Sequence, residues 1–159
     1  TTLLFFILSI CFVIIFFIDL KHFIIPNELT YLLMVIGLFK SFDPNLNTTL
    51  FPNLVNSLIG GLFGCIIIWL IIFIYKKLRN KEGMGLGDAK LLSAIGFWFG
   101  WASIPFIIFF SSVIALLSVV PDIIKNKKNL SSQIPFGPYI IIGCLMFLIF
   151  NEQIKLYLN

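Results

Sequence analysis

The sequence predicts an all-α membrane protein, a bundle of about six transmembrane helices, and three observations carry that prediction. Of the 159 residues, 60% are hydrophobic and 11% charged, with 19 phenylalanines, against roughly 25% charged residues in an ordinary soluble domain. Several apolar runs approach the roughly 20 residues that a helix needs to cross ~30 Å of hydrocarbon. Segments of roughly ten residues that alternate polar and apolar, the mark of a transmembrane barrel, are absent. Such a chain has no room for a separate soluble domain, so residues 1–159 read as one transmembrane unit.

The first run, Thr1 to Ile18, carries no charge. It opens without Met, a basic stretch or a small-residue cleavage site, so it does not resemble a secretory signal, and residues upstream are expected to have been removed or left out. The second, Ile24 to Phe39, is short at about 24 Å of helical rise, as is the sixth, so some helix ends are expected to lie below the membrane surface. In the third, Leu54 to Tyr75, Gly60 and Gly64 stand four apart with Ser57 and Gly61 on neighbouring faces. That small-residue spacing lets two helices approach closely, here within the bundle, with pairing of two copies as the lesser use. The fourth, Leu91 to Phe99, is interrupted by Gly96 and followed by Gly100 and Pro105. It can be read as separate from the fifth, Ala102 to Val120, or as one bent span with it. The sixth runs from Phe136 to Phe150.

Charge orients the bundle. If the segment after the first helix, the 76–90 loop and the 121–135 loop share a side, that side holds Lys21, Lys76, Lys77, Arg79, Lys81, Lys90, Lys125, Lys127 and Lys128. The other side keeps Lys40 and Lys155. Positive loops stay in the cytoplasm, which places both chain ends on the far side. The net charge of +4 follows from this bias and implies no nucleic-acid partner.

Within this frame two of the seven acidic residues are out of place. Asp43, Glu82, Asp122 and Glu152 sit where loops or tails tolerate them, whereas Asp19 closes the first helix inside "FFIDLKHFIIPN" and Asp88 opens the fourth. Both fall at cytoplasmic helix ends, at one depth. An ionisable group at membrane depth costs ~2.5–3.5 kcal/mol on insertion scales, so a functional role is the default reading, with helix-end marking as the alternative. In "GMGLGD" the alternating Gly83, Gly85 and Gly87 suit a tight loop that lets other backbone come close. The spacing is not that of a nucleotide cradle. A loop that receives an extended peptide beside Asp88 fits better, against the alternative of a flexible linker.

These residues also carry a family resemblance. "GMGLGDAKLLSAIGFWFG", residues 83–100, resembles the GxGD segment of the type IV prepilin peptidases, membrane aspartyl proteases that process pilin-like precursors. "DLKHFIIPNELT", residues 19–30, is similar to their first catalytic segment, and "IPFGPYIIIG", residues 134–143, to their C-terminal Pro-Phe-Gly-Pro segment. The resemblance implies that Asp19 and Asp88 are the catalytic pair, with Pro26, Asn27, Gly83, Gly85, Gly87, Lys90, Pro135 and Gly137 as substrate-loop and motif support. It implies a prepilin or pseudopilin precursor as partner, a multi-pass location in the inner (plasma) membrane with the site toward the cytoplasm, and no metal or cofactor. Two carboxyls suffice for amide hydrolysis: one takes a proton from water while the other, protonated, donates to the carbonyl oxygen and then to the leaving nitrogen. Longer members carry an N-terminal region with paired cysteines, associated with methylation of the new N-terminus. No such region is present in this chain, which is read as a peptidase domain alone.

Helix ends suggest a division of labour. Asp88 stands at the N-terminus of its helix, where the dipole favours a carboxylate, and Asp19 at the C-terminus of its own, where the dipole disfavours one. Asp88 is therefore expected to activate water and Asp19 to hold the proton, although the pair titrates jointly. Cys11, Cys65 and Cys144 read as small buried hydrophobes, His22 as a solvated interfacial residue, and Trp69, Trp98 and Trp101 as lipid-facing belt residues. The competing function is a proton- or cation-coupled transporter, or an accessory subunit, with Asp19 and Asp88 as a relay. Transporter carboxylates commonly lie near the midplane between repeated halves, and neither feature is found here.

Overall fold

The computed structural model of the chain describes residues 2–46, 51–79, 85–124 and 134–158. Six α-helices follow one another: α1 (Thr2–His22), α2 (Asn27–Lys40), α3 (Leu54–Arg79), α4 (Leu86–Phe99), α5 (Ser103–Ile124) and α6 (Gly137–Leu158), with a 3₁₀ turn at Pro44–Leu46. No strand occurs among the described residues. Among the described residues, three helices contain segments long and apolar enough to cross a membrane, Thr2–His22, Leu54–Lys77 and Ser103–Val120. The helices α2 and α4 have 14 residues each, about 21 Å at helical rise.

The short α4 is the centre of the bundle. From Asp88 to Phe99 every residue except Lys90 and Phe97 is buried, because α2, α3, α5 and α6 all contact this helix. Its closest neighbour is α3, held by the small residues noted above. A methyl group on Gly60 would collide with the Gly96 carbonyl, and one on Gly64 would come to 2.7 Å of the Leu92 carbonyl oxygen. Ser57 donates across the seam to the Phe97 carbonyl and Ser93 to that of Gly61, the latter at 2.8 Å. Gly60 and Gly64 are thus spent inside the chain, which removes the ground for using them between copies.

Residue pairing gives the directions. Gly60 meets Gly96 while Gly64 meets Leu92, so α3 and α4 are antiparallel. Asn27 bonds Lys90 and Leu33 bonds Trp98, so α2 and α4 are parallel. Ser118 meets Tyr139 while Phe106 meets Phe147, so α5 and α6 are antiparallel. One end of the bundle therefore gathers the end of α1 and the starts of α2, α4 and α6.

Several element boundaries differ from the sequence reading. The fourth helix begins at Leu86, ahead of the apolar run from Leu91 and two residues before Asp88, which was expected to open it, since a first turn tolerates polar residues. It is a separate helix: Gly100 ends it at φ 80° and ψ 176°, a conformation that is essentially restricted to glycine. The fifth helix continues past Pro121 to Ile124, the third reaches Arg79, and the sixth reaches Leu158. Two side chains moved inward. Trp98 is fully buried, its Nε1 donating to the Leu33 carbonyl at 2.8 Å, whereas Trp69 and Trp101 are exposed as expected. Lys40, expected in the outer loop, is buried with its Nζ 4.4 Å from the centre of the Phe51 ring and 5.9 Å from that of Trp98. Cys11 and Cys144 are buried but Cys65 is exposed on α3.

Candidate active site

The site is assembled from helix ends. In the last turn of α1, Asp19 is buried, and the Phe23 amide closes the helix by donating to the Asp19 carbonyl at 2.9 Å. Phe23 has φ 57°, a left-handed conformation that costs a side-chain-bearing residue about 1–2 kcal/mol. It turns the chain sharply into the segment Ile24–Pro26, where Pro26 at φ −62° and ψ 128° precedes the first residue of α2. The start of α6 supplies the partner of Asp19: the Gly137 amide donates to Asp19 Oδ2 at 3.0 Å in a buried hydrogen bond. A methyl group on Gly137 would lie 2.6 Å from that same oxygen, so a glycine is needed for the amide to reach it.

Asp88 arrives from the other side, in the first turn of α4 after Gly85, and is 7% exposed. Its carboxyl interacts electrostatically with that of Asp19, and the Gly85 backbone hydrogen-bonds to it. Sixty-nine positions apart in the chain, the two aspartates come to one end of the bundle, beside the starts of α2, α4 and α6. Ile25, also buried, packs against both Gly87 and Gly137. A methyl group on Gly87 would come to 3.0 Å of Ile25 Cβ, and one on Gly137 to 3.1 Å of Ile25 Cδ1, both closer than the 3.5–4.0 Å at which carbon atoms pack well.

A second contact ties α2 to α4. Lys90 Nζ donates to Asn27 Oδ1 at 2.7 Å and lies 5.4 Å from the centre of the Tyr31 ring. Residues Gly87 and Lys90 are three apart on α4 and share a face, so Ile25 and Asn27 together lay the α1–α2 connection across the first turn of α4. Pro26 and Pro135 are half-buried, Pro135 lying just before the start of α6. Gly85 is exposed, its extended backbone open to any residue. Gly83 lies outside the described residues, as do Asn47, Lys81, Lys125, Lys127 and Lys128.

The expected asymmetry between the two carboxyls loses its basis. Asp19 is indeed at the C-terminus of its own helix, but its side chain faces the N-terminus of α6. Both aspartates therefore face the positive end of a helix dipole. Sequence alone cannot reveal this, because the donor lies 118 positions away. Ile25 was also missed, since one more isoleucine in an apolar run carries no signal. His22 is exposed, as expected. Among the described residues no three His, Cys, Asp or Glu side chains gather as a metal would require, and the chemical groups that converge are two carboxyls.

The model of the type IV leader peptidase family matches residues 6–120. The chain is 34% identical over 138 residues to a prepilin leader peptidase/N-methyltransferase of Aeromonas hydrophila, covering 87% of this chain and 46% of that protein. The similarly named protein of Pseudomonas aeruginosa is 36% identical over 138 residues, covering 86% and 46%. That of Xanthomonas campestris pv. campestris is 37% identical over 143 residues, covering 89% and 48%. The chain thus spans about half the length of the curated relatives it matches. No solved structure matches it. A match over residues 6–120 that contains Asp19, Ile25, Asp88 and Lys90, with these relatives beside it, makes the chain a member of the type IV leader peptidase family.

Proposed function

We propose that the chain is a membrane aspartyl endopeptidase that removes the leader peptide from type IV prepilin or pseudopilin-like precursors at the cytoplasmic face of the inner membrane. The observation that carries this reading is that Asp19 and Asp88 come to one end of the bundle, both buried, with the charge of Asp19 acting on the Asp88 carboxyl. One takes a proton from water as the water attacks the scissile carbonyl; the other donates a proton to the carbonyl oxygen. Collapse of the tetrahedral species then needs a proton on the leaving nitrogen, which the pair supplies. The Gly137 amide holds Asp19 in place, and the Lys90–Asn27 contact does the same for the flank of α4.

Orientation follows from charge. The described cations Lys21, Lys76, Lys77 and Lys90 lie at the carboxyl end of the bundle, as the helix directions require, while Lys40 lies at the other. The positive-inside bias supports a cytoplasmic site, reachable by a short basic leader whose following hydrophobic segment stays in the bilayer. The relay alternative draws no support from the relatives, and carboxyls at helix ends do not suit a midplane binding site.

Purified protein in detergent is expected to cut a peptide made of a basic leader and an apolar segment just before the apolar segment. Asp19→Asn and Asp88→Asn are each expected to yield no product while inserting normally into membranes. Substantial cleavage by either variant would overturn the assignment. Accessibility labelling of single cysteines is expected to find position 79 on the cytoplasmic side and position 47 on the other, and a shared side would reverse the orientation.

A further inference from the structure

The geometry points to Ile25 as the spacer that sets the separation of the two carboxyls, a positioning residue for the proposed reaction. The inference rests on reading Asp19 and Asp88 as the working pair, but its structural basis is independent of that reading. Ile25 is 8% exposed, although its neighbours Phe23 and Ile24 are exposed. Its side chain lies against two glycines, and each glycine is joined to one carboxyl: Gly87 precedes Asp88 in the chain, and the Gly137 amide holds Asp19 Oδ2. At both glycines a methyl group would press on Ile25 from 3.0–3.1 Å. Neither wall can move inward without striking this side chain.

The chain path makes Ile25 a rigid wedge. Phe23 in its left-handed conformation and Pro26 at its fixed φ flank the residue two and one positions away. The Asn27–Lys90 hydrogen bond then anchors the far side of the segment to α4. An isoleucine branched at Cβ is restricted at χ1 outside helices as well as within them, so its width varies little. Shortening it lets the two walls approach, and widening the Gly87 wall drives them apart. The expected sign of each change is therefore opposite.

The test reads spacing and catalysis separately. In the first arm Asp19→Cys and Asp88→Cys are combined, oxidised with copper phenanthroline in detergent, and the 19–88 disulfide is quantified by mass spectrometry apart from Cys11, Cys65 and Cys144. Its rate is expected to rise about threefold with Ile25→Ala and fall about threefold with Gly87→Ala, the two together returning near the starting rate. Ile25→Val, which removes only Cδ1, is expected to give a smaller rise and serves if the alanine variant does not fold. In the second arm, with both aspartates present, Ile25→Ala is expected to lower kcat about tenfold with KM within about twofold, because misplacement acts on the reacting geometry rather than on binding. Cross-linking rates that are equal in all backgrounds overturn the spacer, whatever the activity. The expected cross-linking shifts alongside an active Asp19→Asn variant keep the spacer and overturn the catalytic pair. A parallel loss of kcat and rise of KM without a cross-linking shift assigns Ile25 to substrate contact and overturns the spacer as well.

Discussion

The helices α3 and α4 are similarly apolar and lie against each other, yet they live in different surroundings. Along α3 the residues Leu62, Ile66, Trp69 and Phe73 form an exposed stripe at helical spacing, open to lipid. Along α4 almost every position from Asp88 to Phe99 is enclosed by protein. The difference follows from size rather than hydrophobicity. Lipid tails are as apolar as leucine, so an apolar surface gains little by being inside; what draws one helix to the centre is the closeness that small residues permit. Gly96 and Ser93 on α4 meet Gly60, Gly61 and Gly64 on α3, and a helix so placed can present a carboxyl to the interior at its first turn.

The comparison predicts a graded series. The largest effect belongs to the enclosed carboxyl. Asp88→Asn should reduce cleavage by orders of magnitude, and the Asp19→Asn/Asp88→Asn double variant should be little worse than either single one, since groups that act as a unit are not additive. Steady-state cleavage assays check this, and clear additivity would mean that the two act separately. Next comes the seam. Gly96→Leu should destabilise the protein by about 3 kcal/mol or more, above the usual 1–3 kcal/mol of an overpacked core because the obstacle is backbone. Leu62→Ala on the open face of α3 should stay within about 0.5 kcal/mol. Unfolding in detergent with increasing denaturant distinguishes them, and equal losses would erase the contrast.

Smaller effects lie at the helix ends. Gly100→Ala should cost about 1–3 kcal/mol, because φ 80° with ψ 176° lies where an alanine is strained. Smaller than the Gly100 effect is that of the contact on the flank of α4. Asn27→Ala removes the acceptor of Lys90 and should cost about 0.5–1.5 kcal/mol, read as a modest drop in melting temperature.

Much of this architecture was legible in advance because the physical signals are local. Hydrophobic runs marked six helices, the spacing of Gly60 and Gly64 marked a close approach, and two carboxyls in apolar surroundings marked the candidate site. What was hidden depended on distant neighbours. Nothing near Trp98 indicates that its indole would find the Leu33 carbonyl rather than a lipid headgroup. The burial of Lys40 arises from Phe51 and Trp98, which come from two other parts of the chain. The start of α4 was misjudged because "GLGD" offers no apolar period, although its backbone is helical from Leu86.

The hydrogen bond from Gly137 to Asp19 has a consequence for where the working unit ends. The segment shared with the family model stops at residue 120, and both aspartates lie inside it. The amide that holds one of them does not. A fragment cut at that boundary would keep both acidic residues but leave a buried Asp19 without its donor, an omission that costs about 1–3 kcal/mol or more when the acceptor is a charged group. The smallest piece able to hold both carboxyls in register therefore extends at least into the first turn of α6, past the last residue that the family model matches.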